Sequence, residues 1–113
     1  MSEFTFLYRG RNTPESPEQL QKHLEKWLAW FKDLSAKGHI ENSGHPLEDS
    51  GKVVRSQPKG VTDGPYAEAK DVVAGFTLVK ARDLEHATEL SKGCPILEVG
   101  GSVEVRPLQK LNM

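Results

Sequence analysis

A chain of 113 residues is long enough for one modest hydrophobic core and too short for two independent domains, so a single domain over residues 1–113 is expected. Charged residues make up 27% of it yet the formal net charge is only −1, which gives it no electrostatic reason to bind nucleic acid directly or to seek an anionic membrane. One cysteine, Cys94, allows neither an internal disulfide nor a cysteine-built zinc site, and no apolar run approaches the roughly 20 residues of a membrane span, so a cytoplasmic protein is expected.

The first segment, EFTFLYR from Glu3 to Arg9, alternates Phe4, Phe6 and Tyr8 with Thr5, Leu7 and Arg9, the period of a strand. Acidic and polar residues interrupt its apolar ones, unlike a signal peptide. A helix start follows: Ser16 as N-cap, Pro17 at the first helical position, and Gln19 placed to complete a capping box. Leu20, Leu24, Trp27, Leu28, Phe31 and Leu34 recur at helical spacing and predict one core-facing stripe, with Trp30 on its shoulder and Gly38 as the left-handed stop.

Between Gly38 and Gly60 the pattern shortens. His39-Ile40-Glu41 can be briefly extended, GHPLEDSG is rich in turn formers, and GKVVRSQ from Gly51 to Gln57 predicts a strand that Pro58 ends. The next stretch, VTDGPYAEAKD, predicts a turn around Asp63-Gly64-Pro65 and then carries more ionisable groups than a turn needs. VAGFTLVKA, Val73 to Ala81, is a strand with Phe76 and Leu78 on one face and Thr77, Val79 and Ala81 on the other. Asp83 caps a second helix, LEHATELSKG, and SVEVR from Ser102 to Arg106 alternates again before Pro107.

Two helices interleaved with strands predict an α+β fold of the ferredoxin-like kind, with both helices on one face of an antiparallel sheet. Thr5 and Leu7 on β-type positions opposite Phe4 and Phe6, and Phe76 and Leu78 opposite Val79, leave an apolar patch on the other face. A symmetric homodimer, sheet against sheet, would cover it.

Four histidines need weighing as titrating groups. His23 flanks the first helix stripe, His39 follows a helix stop, and His86 lies on the polar edge of the second helix. His45, in Gly44-His45-Pro46, has no local structural reason to be an imidazole and is the leading functional candidate. Asp63 can either bond its own turn or act as a general base. Lys70 could bind an anion while Glu68 handles protons, although such a pair is also what a solvated face carries. Ser43, Ser50, Ser56 and Cys94 lack a nucleophile elbow, no histidine or cysteine grouping suggests a metal, and Gly100-Gly101 is no phosphate loop, so neither metal nor cofactor is expected.

The run from Asp63 to Asp71, DGPYAEAKD, resembles the DGPF-A-E-T-K-E signature of the YCII-related, or DGPF-domain, family, with Tyr66 for Phe, Ala69 for Thr and Asp71 for Glu. The long helix ending at Gly38, the G-x-x-L from Gly44 to Leu47, Gly75-Phe76 and the closing S-V-E-V-R-P extend the likeness over nearly the whole chain. The resemblance implies a ferredoxin-like fold that dimerises into an α/β barrel, with a cleft in which an Asp and a His act as acid and base. Asp63 matches the aspartate. Many relatives have H-L-x-x-L-K on the long helix where this chain reads Trp27-Leu28-Ala29-Trp30-Phe31-Lys32, and His45 is the candidate to replace the histidine lost there.

Some relatives resemble lyase-type or dehalogenating enzymes, and others occur beside sigma factors. Two functions follow as expectations. In the first, the dimer binds a small polar or anionic molecule, with Asp63 as proton acceptor, His45 as its partner and Arg55, Tyr66, Glu68, Lys70 and Arg106 around the ligand. In the second, the same dimer is a non-catalytic ligand-binding or regulatory accessory protein.

Overall fold

The computed structural model describes residues 1–10, 16–56, 60–65 and 71–111. Strand β1 (Ser2–Arg9) leads to helix α1 (Pro17–Ala36), strands β2 (Ile40–Asn42), β3 (Gly51–Val54), β4 (Val61–Gly64) and β5 (Val73–Ala81), helix α2 (Leu84–Ser91), a 3-10 turn over Pro95–Val99 and strand β6 (Ser102–Pro107). Four strands make an antiparallel sheet in the order β2-β5-β1-β6, the ferredoxin-like α+β arrangement. The other two, β3 and β4, pair with each other and, among the described residues, with no further strand.

Alternation in β1 decides the two faces of the main sheet. Phe4, Phe6 and Tyr8 are buried while Thr5, Leu7 and Arg9 are half-buried. Register carries the same division across the sheet: Phe6 lies opposite Thr77 and Val105, whereas Leu7 lies opposite Phe76 and Glu104. The covered face, with Val79 and Ala81, packs against Trp30 and Leu34 of α1, Ala87 of α2, and Cys94 and Ile96.

Helix α1 starts as its cap residues dictate, with the Ser16 hydroxyl accepting from Gln19 N–H and Pro17 at the first position. It stops at Gly38, whose φ of +78° lets Gly38 N–H reach Ser35 O and His39 N–H reach Leu34 O. Its rotation differs from the expectation. Trp30 is buried in the core, whereas Leu20, Leu24 and Leu28 are exposed, Leu28 at 68%. The indoles are the cause: Trp30 stacks on Phe6 at 6.0 Å and Trp27 meets Tyr8 edge-on at 4.8 Å, which centres the contact on 27, 30 and 34 and turns the leucines outward.

The VTDG segment departs from expectation too, being strand β4 rather than a turn, in register with Gly51–Val54. Val54 and Val61 face each other across this hairpin and are 79% and 63% exposed.

Cys94 is packed as a small apolar residue, 2% exposed, and burial pushes its thiol from 9.0 up to about 12. Burial likewise raises the Tyr8 phenol well above its ordinary 10.0, against the lowering effect of its hydrogen bond to Thr77. Both groups bind their protons more tightly folded than unfolded. Their stabilisation is therefore complete below pH 9 and is lost as pH rises from there toward the folded value of about 12 for Cys94. Urea midpoints measured from pH 7 upward should fall beyond pH 9, and less steeply for Cys94→Ala. A flat profile to pH 11 would show that neither group is protected.

Candidate functional site on the open face of the sheet

The uncovered face of the main sheet has an apolar floor of Thr5, Leu7, Phe76 and Leu78, aligned by the register Thr5–Leu78 and Leu7–Phe76. One strand further, the same rows end in polar residues: Leu7 is opposite Glu104 and Thr5 opposite Arg106 on β6. Arg9 extends its guanidinium over this end, with Nη2 2.7 Å and Nε 2.8 Å from Glu104 Oε1. Arg106 Nη1 lies 3.7 Å from the other oxygen, Oε2. A single carboxylate thus sits between two guanidiniums, leaving one positive charge in excess within this trio, the kind of centre that attracts an anion.

The opposite rim is the loop after β2. Gly44 and Gly75, one from each side of the contact, make the close approach possible. Gly44 has φ +72°, and a Cβ there would lie 1.7 Å from Phe76 O; a Cβ at Gly75 would lie 3.0 Å from His45 O. The loop is then bonded along β5, through Leu47 N–H to Ala74 O and a bridge between Pro46 and Gly75. His45 is thereby set beside Phe76, ring centroids 6.5 Å apart, with its side chain open to solvent. From this loop to β6 is about three strand spacings, on the order of 14 Å, room for a small molecule between an imidazole and the arginine pair.

A buried chain of hydrogen bonds holds the loop from beneath. Tyr8 Oη–H donates to Thr77 Oγ1 at 2.6 Å, and Thr77 Oγ1–H donates to Ser43 O at 2.9 Å. The segment entering β5 is fastened at the sheet's other side, where Arg9 Nη1 donates to Asp71 O at 2.6 Å and Gly10 N–H to Val72 O at 2.9 Å. So Arg9 joins three things: the β6 carboxylate, the end of the DGPY segment and the open face.

Asp63 does not bond its own turn, as one expectation had it. It lies on β4, its side chain 89% exposed, and its carboxylate pairs with Lys52 of β3 rather than with its own turn. His45 is on the main sheet's rim, and no hydrogen bond joins it to Asp63 among the described residues. Arg55 follows the same hairpin, with its N–H donating to Gly60 O, and Arg106 is on the open face. Tyr66, Glu68 and Lys70 lie outside the described residues.

The remaining histidines have structural partners. Trp27 Nε1–H donates to His23 Nε2 at 2.9 Å, and Arg82 N–H donates to His86 Nδ1 at 3.1 Å. His86, expected on a polar edge, rests half-buried against His39 with ring centroids 5.0 Å apart. Among the described residues no group of three or more His, Cys, Asp or Glu is placed to hold a metal ion, and no helix is long and apolar enough to cross a membrane.

Arg9 and Glu104 are the site residues that motif reading missed. The signal was present in alternation: both fall on strand positions opposite core residues, and only the β1–β6 register shows that they meet.

No curated protein sequence is matched by the chain. Among solved structures it is similar to 5-chloro-2-hydroxyhydroquinone dehydrochlorinase (TftG) from Burkholderia phenoliruptrix AC1100, solved in complex with 2,5-dihydroxybenzoquinone, with 16% identity over 95% of this chain and 93% of that one and a TM-score of 0.48. The model of the YCII-related domain matches residues 5–112, which takes in both rims of the open face, the β3–β4 hairpin and the DGPY segment. The chain therefore belongs to the YCII-related domain family.

Proposed function

We propose that two copies of this chain pair through the open faces of their sheets and hold a small anionic or polar molecule over the Leu7–Phe76 floor. Arg106 and Arg9 receive its anionic group, and Asp63 and His45 exchange protons with it as base and acid. The observation that supports this reading is the Arg9–Glu104–Arg106 trio, placed at one end of an apolar floor that has His45 at its other end. Arg55, Tyr66, Glu68 and Lys70 are further ligand contacts in this proposal. The buried single thiol suits a reducing cytoplasm, where we place the protein.

One observation favours the second function, a non-catalytic ligand-binding or regulatory dimer. Within one chain the Asp63 side chain is 89% exposed and paired with Lys52. Two measurements separate these functions. A thermal-shift screen of small carboxylates, run on wild type, Arg106→Ala and Asp63→Asn, should find an anion that raises the wild-type melting temperature. Saturation at 100 times Kd corresponds to about 2.7 kcal/mol. The shift should be lost in Arg106→Ala while that variant keeps wild-type circular dichroism. That anion is then incubated with protein in deuterated water. Deuterium incorporated by wild type and not by Asp63→Asn supports acid–base chemistry, whereas none incorporated by wild type supports the binding protein. A screen in which no anion shifts wild type would overturn both.

A further inference from the structure

The β3–β4 hairpin is anomalous as part of a single folded chain. Two strands of four residues each are too few to be stable alone in water, and such a hairpin ordinarily packs on a third strand or a helix. Here, among the described residues, neither strand pairs with the main sheet or has a further partner strand, and Val54 and Val61 are exposed together. The outline of the chain agrees: its extents are 48 × 47 × 19 Å and its radius of gyration is 15.7 Å, against about 13 Å for a compact domain of this length. The hairpin is an arm.

Its chemistry is complementary to the open face of the same protein. The arm carries two exposed valines and, paired with Lys52, Asp63, a carboxylate 89% exposed; the face carries Leu7, Phe76 and Leu78 and, at its β6 end, a trio of charges with one positive in excess. Arg106 is the exposed member, at 65%, and its contact with Glu104 is the long one at 3.7 Å. In the dimer proposed above, an arm that reached the other copy would cover both apolar surfaces in one symmetric contact.

We infer that the arm crosses to the second copy and delivers Asp63 to that copy's Arg106, so that each ligand site is built from two chains. This rests on the dimer proposed above and goes beyond it. It accounts for why the Asp63 side chain is so exposed in its own chain and why the hairpin presents Val54 and Val61 to solvent. The occupant of the arm is a second copy of this chain, and the carboxylate it brings is the base for that copy's ligand.

Charge reversal tests the inference. Asp63→Arg and Arg106→Asp are each exposed positions, so each variant should fold with wild-type circular dichroism. Each homodimer would hold two like-charge contacts and should dissociate roughly tenfold or more readily than wild type, read by sedimentation. Mixing the two variants should then give a heterodimer in excess of either homodimer, because it has one native and one swapped pair and no repulsive one. A heterodimer no tighter than the homodimers overturns the crossing. Restoration only when both changes are in the same chain overturns it as well, since that places the pair within one protomer. Leu7→Glu and the pair Val54→Glu with Val61→Glu separate this from the dimer itself: loss of the dimer in both supports the arm, whereas loss in Leu7→Glu alone leaves the paired faces and removes the arm. A wild type that sediments as a monomer at micromolar concentration overturns the dimer and the arm together.

Discussion

Gly44→Ala is expected to lower the stability of the fold by about 3 kcal/mol or more, as a fall in the urea midpoint, although it adds only one methyl group. Two costs add. A φ of +72° is strained for any residue with a Cβ, and that Cβ would lie 1.7 Å from Phe76 O, a backbone atom in the second strand of the sheet. Gly38→Ala separates the two. Gly38 has φ +78° with nothing within 4 Å of a built Cβ, so it carries the conformational strain without the collision and should cost roughly 1–2 kcal/mol. If both variants lose the same stability, the loop after β2 relieves the clash by moving, and His45 is not held where it is found. If Gly44→Ala is the more damaging, that loop is clamped to β5 and the imidazole position is a fixed feature of the fold.

This clamp shows what was legible in the sequence and what was not. Alternation placed Phe4, Phe6 and Tyr8 on one face and Thr5, Leu7 and Arg9 on the other because a strand has a period of two whatever it packs against. The Ser16-Pro17 start and the Gly38 stop were legible for the same reason: each is a local demand of helix ends. Gly44 and Gly75 are separated by 31 positions, and no local rule ties them; their shared purpose, letting the loop approach β5, exists only after β2 and β5 have met. Helix α1 failed at the same boundary. Its apolar positions span a wide arc, and which half of the arc meets the sheet is decided by the Trp27 and Trp30 rings against Tyr8 and Phe6, a tertiary matter.

The turn expected at Asp63-Gly64-Pro65 failed more instructively. Asp-Gly-Pro is a strong turn signal, yet Val61–Gly64 has a partner strand whose sequence, Gly51–Val54, offers it a ladder, and pairing overrode the turn. The residues of the DGPY segment resemble the family's signature, while the β3–β4 ladder sets Asp63 opposite Lys52, one rung in from the base of the hairpin. In the dimer proposed above, signature residues need not converge within one copy, because each chain leaves to the second whatever the second supplies.

Thr77→Val should cost about 2 kcal/mol, and its partner variant should then change sign. Thr77 is fully buried, accepts from the Tyr8 phenol and donates to Ser43 O. Valine fills nearly the same volume, so packing is kept and the loss is one of hydrogen bonding. Ser43 is exposed and its carbonyl can turn to water, so the cost concentrates on the Tyr8 hydroxyl, left in a site only 5% exposed with no acceptor. Tyr8→Phe in the native background removes that donor while Thr77 keeps its bond to Ser43 O, and should cost about 1 kcal/mol. In the Thr77→Val background the same change removes an unsatisfied group instead of a satisfied one, and should recover about 1 kcal/mol. The four urea midpoints of the cycle give the coupling directly. Additive losses would mean that a water enters beside Tyr8 and replaces the threonine; a reversal of sign would show that Tyr8, Thr77 and Ser43 act as one unit, and that the loop bearing His45 is held by the core through that unit.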